Sequence, residues 1–269
     1  RKLFDKLADF DVRGLIAELQ ANGISVISSS ILFLDHHTRE NLDAAIEWAI
    51  GMNSDYHQFM QLTPLPGTPL FEDYLQRGWL TEDFPYTRMS GQDALNFAHP
   101  HFDAEEAAEL TRAAFRRYYQ TNGPGVLNMA HTFVRGYRKA SQDVSQRREL
   151  GYTWNAERLG YSKNGAARDD EFMFRRLEMI RSRALSCRPL LYAAQVFAPN
   201  ARVRRKAIET RRLYDETFGP AGYGMRLKRS ALTLFGAVEK ARLDTHRLLR
   251  RRELIRHPPT RRLEYRACN

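Results

Sequence analysis

The chain has 269 residues, 43% of them hydrophobic and 11% aromatic, enough apolar material for one ordinary core or two smaller ones. No run approaches the ~20 apolar residues of a membrane helix, and the opening RKLFDKLADFDVRG lacks the apolar stretch of a secretory signal, so a soluble, cytoplasmic protein is expected. The net charge of +10 conceals a step: residues 1–122 hold 10 Lys/Arg against 18 Asp/Glu and residues 123–269 hold 32 against 14, which marks a change of module after residue 122.

In chain order, Phe10, Val12, Leu15, Ile16 and Leu19 fall near helical spacing, and Asn22-Gly23 supplies a stop, so residues 9–22 are predicted helical. ISVISSSILFL (24–34) is short, rich in Ile and mostly uncharged, as expected of a strand buried on both faces of a parallel sheet. Thr38 then opens a helix whose Leu42, Ala45, Ile46 and Ala49 share a stripe. A second buried strand, DYHQFMQLT (55–63), ends at PLPGTP (64–69), and a helix over 69–77 follows. This order of helix and strand implies parallel strands joined by crossovers. Residues 78–102 read as irregular, punctuated by Gly78, Pro85, Gly91 and Pro100. Asp103 then caps a helix running to Tyr119, with Glu105 and Glu106 at its positive end and Asn122-Gly123-Pro124 as its stop. Beyond that point the pattern is helical only, at roughly 125–140, 168–198, 200–217 and 225–256, before an Arg-rich, proline-broken tail.

Cys187 and Cys268 stand far apart, and neither has a Cys or His at metal-ligand spacing. No disulfide framework or zinc module is readable, and two incidental thiols of a reducing compartment are expected. The first residue is Arg rather than Met, as expected of a piece of a longer chain.

Three stretches taken together carry a resemblance: GISVISSSILFLDHHTRENLDAAIEWAI (23–50), DYHQFMQLTPLPGTPLFEDYLQRGWL (55–80) and FAHPHFDAEEAAELTRAAFRRYYQTNGPGVL (97–127). Over residues 1–140 the sequence resembles the closing third of the barrel in radical S-adenosylmethionine (SAM) proteins that carry an N-terminal cobalamin-binding domain. Its most specific element is the turn Thr63-Pro64-Leu65-Pro66-Gly67-Thr68-Pro69-Leu70 after a buried strand. The resemblance implies an α/β fold, the C-terminal portion of a partial, TIM-like (βα) barrel over residues 1–122, followed by a basic, mainly α-helical extension over 123–269. It also implies a radical SAM enzyme as the full-length parent, with SAM, a [4Fe–4S] cluster and cobalamin as cofactors, acting on a small molecule by methyl transfer or C–H functionalisation. The cluster-binding CxxxCxxC would lie in the missing N-terminal part of the same protein, so this chain is expected to be inactive alone. His36-His37 and His99-Pro100-His101 are no substitute for soft thiolate ligands.

Under this resemblance, Ser28, Ser29 and Ser30 within the first strand, and Thr63, Pro64, Gly67 and Thr68 at the end of the second, are the candidate cofactor-binding residues; for the serines the alternative is small residues packed under a covering helix with their hydroxyls bonded to backbone. Gly67 sits between Pro66 and Pro69, whose fixed angles leave the loop few conformations, so a structural turn that starts the next helix is the alternative role. His57 and Gln61 share one strand face and are the candidate substrate-binding residues; Gln58 faces the other way, and satisfied core polars are the alternative for the pair. One departure from the family stands at Phe33, where Gly is usual: either the strand shifts locally there, or the phenyl ring fills space that SAM needs and this copy is altered in cofactor binding. A reading from another class treats the basic half as a module for RNA or another polyanion, through RVRRKAIETRR (202–212) and RLLRRR (247–252).

Overall fold

The computed structural model describes residues 10–80, 95–149, 153–155, 160–162 and 167–249. Helix α1 (Val12–Ala21) is opened by Asp11, whose carboxylate accepts the Gly14 N–H at 2.9 Å. Gly23, at φ +76°, turns the chain into strand β1 (Ile27–Leu32). The turn also needs a glycine opposite it, since a Cβ at Gly136 would lie 2.1 Å from the Gly23 Cα. Helix α2 (Arg39–Gly51), strand β2 (Tyr56–Gln61) and helix α3 (Pro69–Gln76) complete the expected alternation. The strands pair in parallel, in register from Ile27 opposite Tyr56 to Leu32 opposite Gln61.

Helix α4 (Ala104–Asn122) covers one face of this pair, its first turn capped by Asp103, which accepts the Glu106 N–H at 2.8 Å. Phe59 meets Phe115 edge to face at 5.3 Å between centroids, and His57 lies 6.0 Å from the Tyr118 ring. The opposite face has no such cover. Ile27 is 65% exposed and Ile31 48%, whereas Leu32, pointing the other way, is 1% exposed. The expectation of a strand buried on both sides is thus corrected: β1 is buried on its helix side only. Among the described residues no third strand joins the parallel pair, so what stands there is a mixed α/β, mostly helical fold rather than a closed ring of strands.

Helix α5 (Gly125–Glu149) begins after the Gly123 turn, and a short antiparallel hairpin follows, β3 (Thr153–Asn155) against β4 (Gly160–Ser162). The purely helical reading beyond residue 123 missed it, because three-residue strands are too short to show alternation. Helix α6 (Ala167–Cys187), a 3₁₀ turn at Arg188–Leu190 containing Pro189, and α7 (Leu191–Val196) divide what reads in sequence as one long helix. Helices α8 (Ala201–Phe218) and α9 (Tyr223–Leu249) end the described chain. Two apolar clusters result, one drawn from Ile16 to Tyr118 and the other from Leu127 to Tyr214. Polar residues join them: Asp55 at the start of β2 accepts from Thr132 on α5, and Lys206 on α8 donates to Asn128 on α5 and to the Asn122 carbonyl.

Phe33 follows β1 with φ +62°, a left-handed conformation that only glycine adopts without cost. Its ring is fully buried and meets Phe102 edge to face at 5.2 Å, on the helix side of the sheet. The ring therefore does not occupy the uncovered face of the sheet. Strain relief and cavity formation oppose each other at this position. Phe33→Ala keeps the strain and loses the ring, for an expected cost of roughly 3–5 kcal/mol. Phe33→Gly loses the ring but recovers about 1–3 kcal/mol of backbone strain. Thermal unfolding should therefore rank the glycine variant above the alanine variant, although glycine fills less space.

Candidate active site

Both parallel strands deliver their C-terminal ends, and the loops 33–38 and 62–68, to the same edge of the sheet. In a βα unit that edge is where reacting groups collect. The first loop is pinned from several sides. His37 Nδ1 accepts the Leu34 N–H at 3.1 Å, Asn41 donates to the His36 carbonyl at 2.7 Å, and His99 Nε2 donates to the Leu34 carbonyl at 3.1 Å. Tyr74 on α3 donates its phenol proton to Asp35, and Arg77 stands 3.7 Å from the same carboxylate. Burial, and then the Asp35 carboxylate, hold the Tyr74 phenol well above its ordinary range, so it remains a donor. Burial first, then His36 and His99, bring His37 down to about 4, so this imidazole is neutral near pH 7.

The second loop shows how the TPLPGTP turn works. Thr68 caps α3: its Oγ1 accepts the Phe71 N–H at 3.3 Å and donates to the Leu65 carbonyl at 2.6 Å, while Pro69 takes the first helical position. Thr63 Oγ1 donates to the Gln61 carbonyl at 3.2 Å, and Pro64 is buried. Gly67 has φ +78°, and a Cβ built there would meet nothing within 4 Å. The glycine thus serves the turn's backbone geometry, and the space beside it is open.

The three serines divide between the faces. Ser28 and Ser30 point to the helix side and clasp His57, with Ser28 Oγ at 2.6 Å from Nδ1 and Ser30 Oγ at 3.0 Å from Nε2. The hydroxyls fix the tautomer. Ser54 donates to the Tyr56 carbonyl at 3.0 Å and so accepts from Ser28 at 2.5 Å; Ser28 in turn accepts from Nδ1–H, leaving Nε2 to accept from Ser30. Burial pushes His57 down to about 4, in keeping with this neutral, fully satisfied ring. Gln61 is likewise buried on the helix side; its amide donates to Thr111 Oγ1 at 3.1 Å, and its Oε1 has no partner among the described residues. The candidate substrate-binding pair, His57 and Gln61, therefore faces α4, while Ser29 stands with Ile27, Ile31, Tyr56, Gln58 and Met60 on the uncovered face. Sequence reasoning missed Gln58, although strict alternation placed it opposite His57.

No group of three His, Cys, Asp or Glu among the described residues could hold a metal ion. Cys187 closes α6 in the helical half, and burial raises its thiol, so it offers no thiolate near the sheet. A cavity of about 680 Å³ lies at the opposite end of β1, where Gly23 and Ile24 face Arg176 and Met179 of α6, away from both loops. In the basic half, Arg202, Arg204 and Arg205 are exposed on α8, whereas Lys206, next in the chain, is half-buried and committed to Asn128 at 2.7 Å. The segment 247–252 reaches beyond the described residues. No described helix is long and apolar enough to cross a membrane.

No family model matches the chain, and no solved structure matches it. A stretch of 99 residues, 36% of this chain, is 32% identical to an uncharacterized methyltransferase of Pyrococcus horikoshii. That stretch spans 21% of the relative's length, so the similarity joins part of this chain to part of a larger protein named as a methyltransferase.

Proposed function

We propose that this chain is the C-terminal part of a SAM-using enzyme of the cobalamin-linked radical SAM class, transferring a methyl group or functionalising a C–H bond of a small molecule. Residues 1–122 would be the closing portion of its partial (βα) barrel and residues 123–269 a basic helical extension. The observation that carries the reading is the parallel β1–β2 pair, backed by helices on one side and, along β1, bare on the other. Helices line the outside of a βα barrel, so the bare side corresponds to the lumen, and the free edge of β1 to the place where upstream strands of the parent would pair. The similarity to a methyltransferase-named protein supports group transfer from SAM.

The chain's own residues do not fit an iron–sulfur cluster. Three thiolates are needed, and the sequence holds Cys187 and Cys268 alone. Cluster and cobalamin are therefore assigned to the N-terminal part of the parent. SAM suits the residues present: Ile27, Ile31 and Met60 offer an apolar floor, Ser29 and Gln58 offer a hydroxyl and an amide, and Thr63 and Gly67 border the strand end. When bound, SAM supplies either a methyl group or an adenosyl fragment to the chemistry. This chain's part is to seat it and to keep the β1 loop rigid through Asp35, Tyr74 and His99.

In the anaerobically reconstituted full-length protein, Ser29→Phe is expected to raise the KM for SAM by roughly tenfold or more with cluster content unchanged. Gln58→Leu should act in the same direction. His57→Gln, on the helix side, should lower stability and leave that KM in place. Unchanged SAM kinetics in both open-face variants would remove the assignment.

A further inference from the structure

Helix α9 packs by one face only. Met225, Arg229, Leu232 and Gly236 are half-buried on it: Phe197 presses so close to Gly236 that a Cβ there would lie 2.9 Å from the ring, and the Arg229 guanidinium sits 4.5 Å from the Tyr192 ring centroid. The opposite face is apolar and bare, with Tyr223 77% exposed, Leu227 55%, Leu234 69%, Phe235 66% and Val238 57%. At about 100° per residue these five fall within an arc of roughly 120°, a stripe that continues through Ala231 and Ala241. Cations flank the stripe on both sides, Arg226 and Lys240 on one and Lys228 on the other, and Arg242 closes it at its C-terminal end.

Beside the first turns of α9 lies a cleft of about 250 Å³ that gathers Arg188, Arg211, Arg226 and Arg229 against the single carboxylate of Asp215. Arg188 already holds Asp215 at 2.7 Å, so the other three guanidinium groups face no further carboxylate among the described residues of the cleft, and Arg226 donates its Nε to the Ala221 carbonyl at 2.9 Å. The Nε of Arg229 is buried and has no acceptor among the described residues. Such an arrangement presents donors to an oxyanion, and guanidinium groups suit phosphate in particular.

We propose that α9 is a docking surface for an anionic phospholipid membrane, its apolar stripe lying at the level of the acyl chains and the arginine cleft receiving a lipid phosphate. Charge decides among the occupants a bare apolar helix face can have. A second copy of α9 would bring cationic flanks against cationic flanks, and the acidic residues that might offset them, Glu239 and Asp244, are already paired with Arg242 at 3.5 Å and Lys240 at 2.8 Å. A lipid surface of negative charge complements the flanks, while the stripe supplies the apolar area that such helices bury. The helix is too polar to span the bilayer, so it lies along the surface. The inference stands independently of the proposed chemistry.

The test is flotation of the full chain with vesicles of phosphatidylcholine alone and of phosphatidylcholine containing phosphatidylglycerol. Binding to the anionic vesicles is expected to exceed binding to the neutral ones by roughly tenfold, and to fall as salt rises. Leu234→Glu and Phe235→Glu, both on the bare face, should abolish it with the helical circular dichroism unchanged, and Arg211→Gln should weaken it. Equal flotation by the glutamate variants, or no flotation of the wild type, overturns the proposal. So does a dimer in sedimentation that Leu234→Glu dissociates, which would make a second copy the occupant. Full competition by inorganic phosphate would likewise overturn it, reducing the cleft to a site for the free anion.

Discussion

Replacing Asp55 with alanine is expected to destabilise the protein by about 3–5 kcal/mol, the largest single-residue effect among the described polar groups. The carboxylate is 1% exposed. One oxygen accepts the Val26 N–H at 2.8 Å, fixing the approach to β1, and the other accepts from Thr132 of α5 at 2.6 Å. Its own carbonyl accepts from Asn128 at 3.1 Å. Close by, burial pulls the Lys206 ammonium below its ordinary range while the Asp55 carboxylate pulls it back up. Removing Asp55 leaves the part-buried Val26 N–H and the buried Thr132 hydroxyl without their acceptor and strips Lys206 of a favourable nearby charge. Thr132→Val, which removes one hydrogen bond, should cost only about 1 kcal/mol. In urea unfolding, Lys206→Met should hurt the wild type more than it hurts the Asp55→Ala variant, because the two residues share one electrostatic environment. An Asp55→Ala variant no weaker than Thr132→Val would show that the polar seam between the two apolar clusters is not what holds β1 and β2 against α5 and α8.

Much of the fold in front of the site was legible. Strands β1 and β2, helix α2 and the Asp103-capped α4 carry strong periodicity and punctuation, and they stand within a few residues of where the pattern puts them. The facing of the strands was harder to read. His57 and Gln61 attract attention because polar groups in an apolar strand suggest a ligand, yet here Ser28 and Ser30 hold both ring nitrogens of His57, and Thr111 accepts from the Gln61 amide, from the helix side. Periodicity states that His57 and Gln58 point apart; it does not state which direction is outward, since that depends on where α4 packs. Phe33 was a visible anomaly, but its cause is a backbone angle, which a sequence does not display. Asp55 gave no signal at all, because its partners Thr132 and Lys206 lie 77 and 151 positions further along the chain. The bare stripe of α9 was hidden for a related reason: apolar residues on a helix mark a buried face by default, and only the packing of Met225 and Gly236 shows which of its two faces is used.

Stability is expected to fall steeply as pH drops from 6.5 towards 4, driven by three histidines that fold neutral. His37, His57 and His131 each have their pKa brought from 6.5 to about 4, burial being the first cause in every case. The unfolded chain therefore takes up these protons first. Their contribution is complete above pH 6.5, declines through the interval and is exhausted below about 4. Each site contributes at most about 1.4 kcal/mol per pH unit, so the three together approach ~4, less what solvent screens at the half-buried His131. The sites differ in how they resist. His131 Nδ1 donates to Thr210 Oγ1 at 3.1 Å, because that hydroxyl already donates to the Lys206 carbonyl at 2.7 Å, and Lys206 itself opposes a second charge. His57 is the most constrained, since its ring is fully buried and a proton on Nε2 would oblige the Ser30 hydroxyl to turn away. Urea midpoints measured at intervals from pH 7 to pH 4.5 should show the decline, and His57→Gln, which cannot take up the proton, should flatten it by about one proton's worth. A midpoint independent of pH over that interval would mean that these rings are hydrated in solution, and with them the serine clasp behind β1.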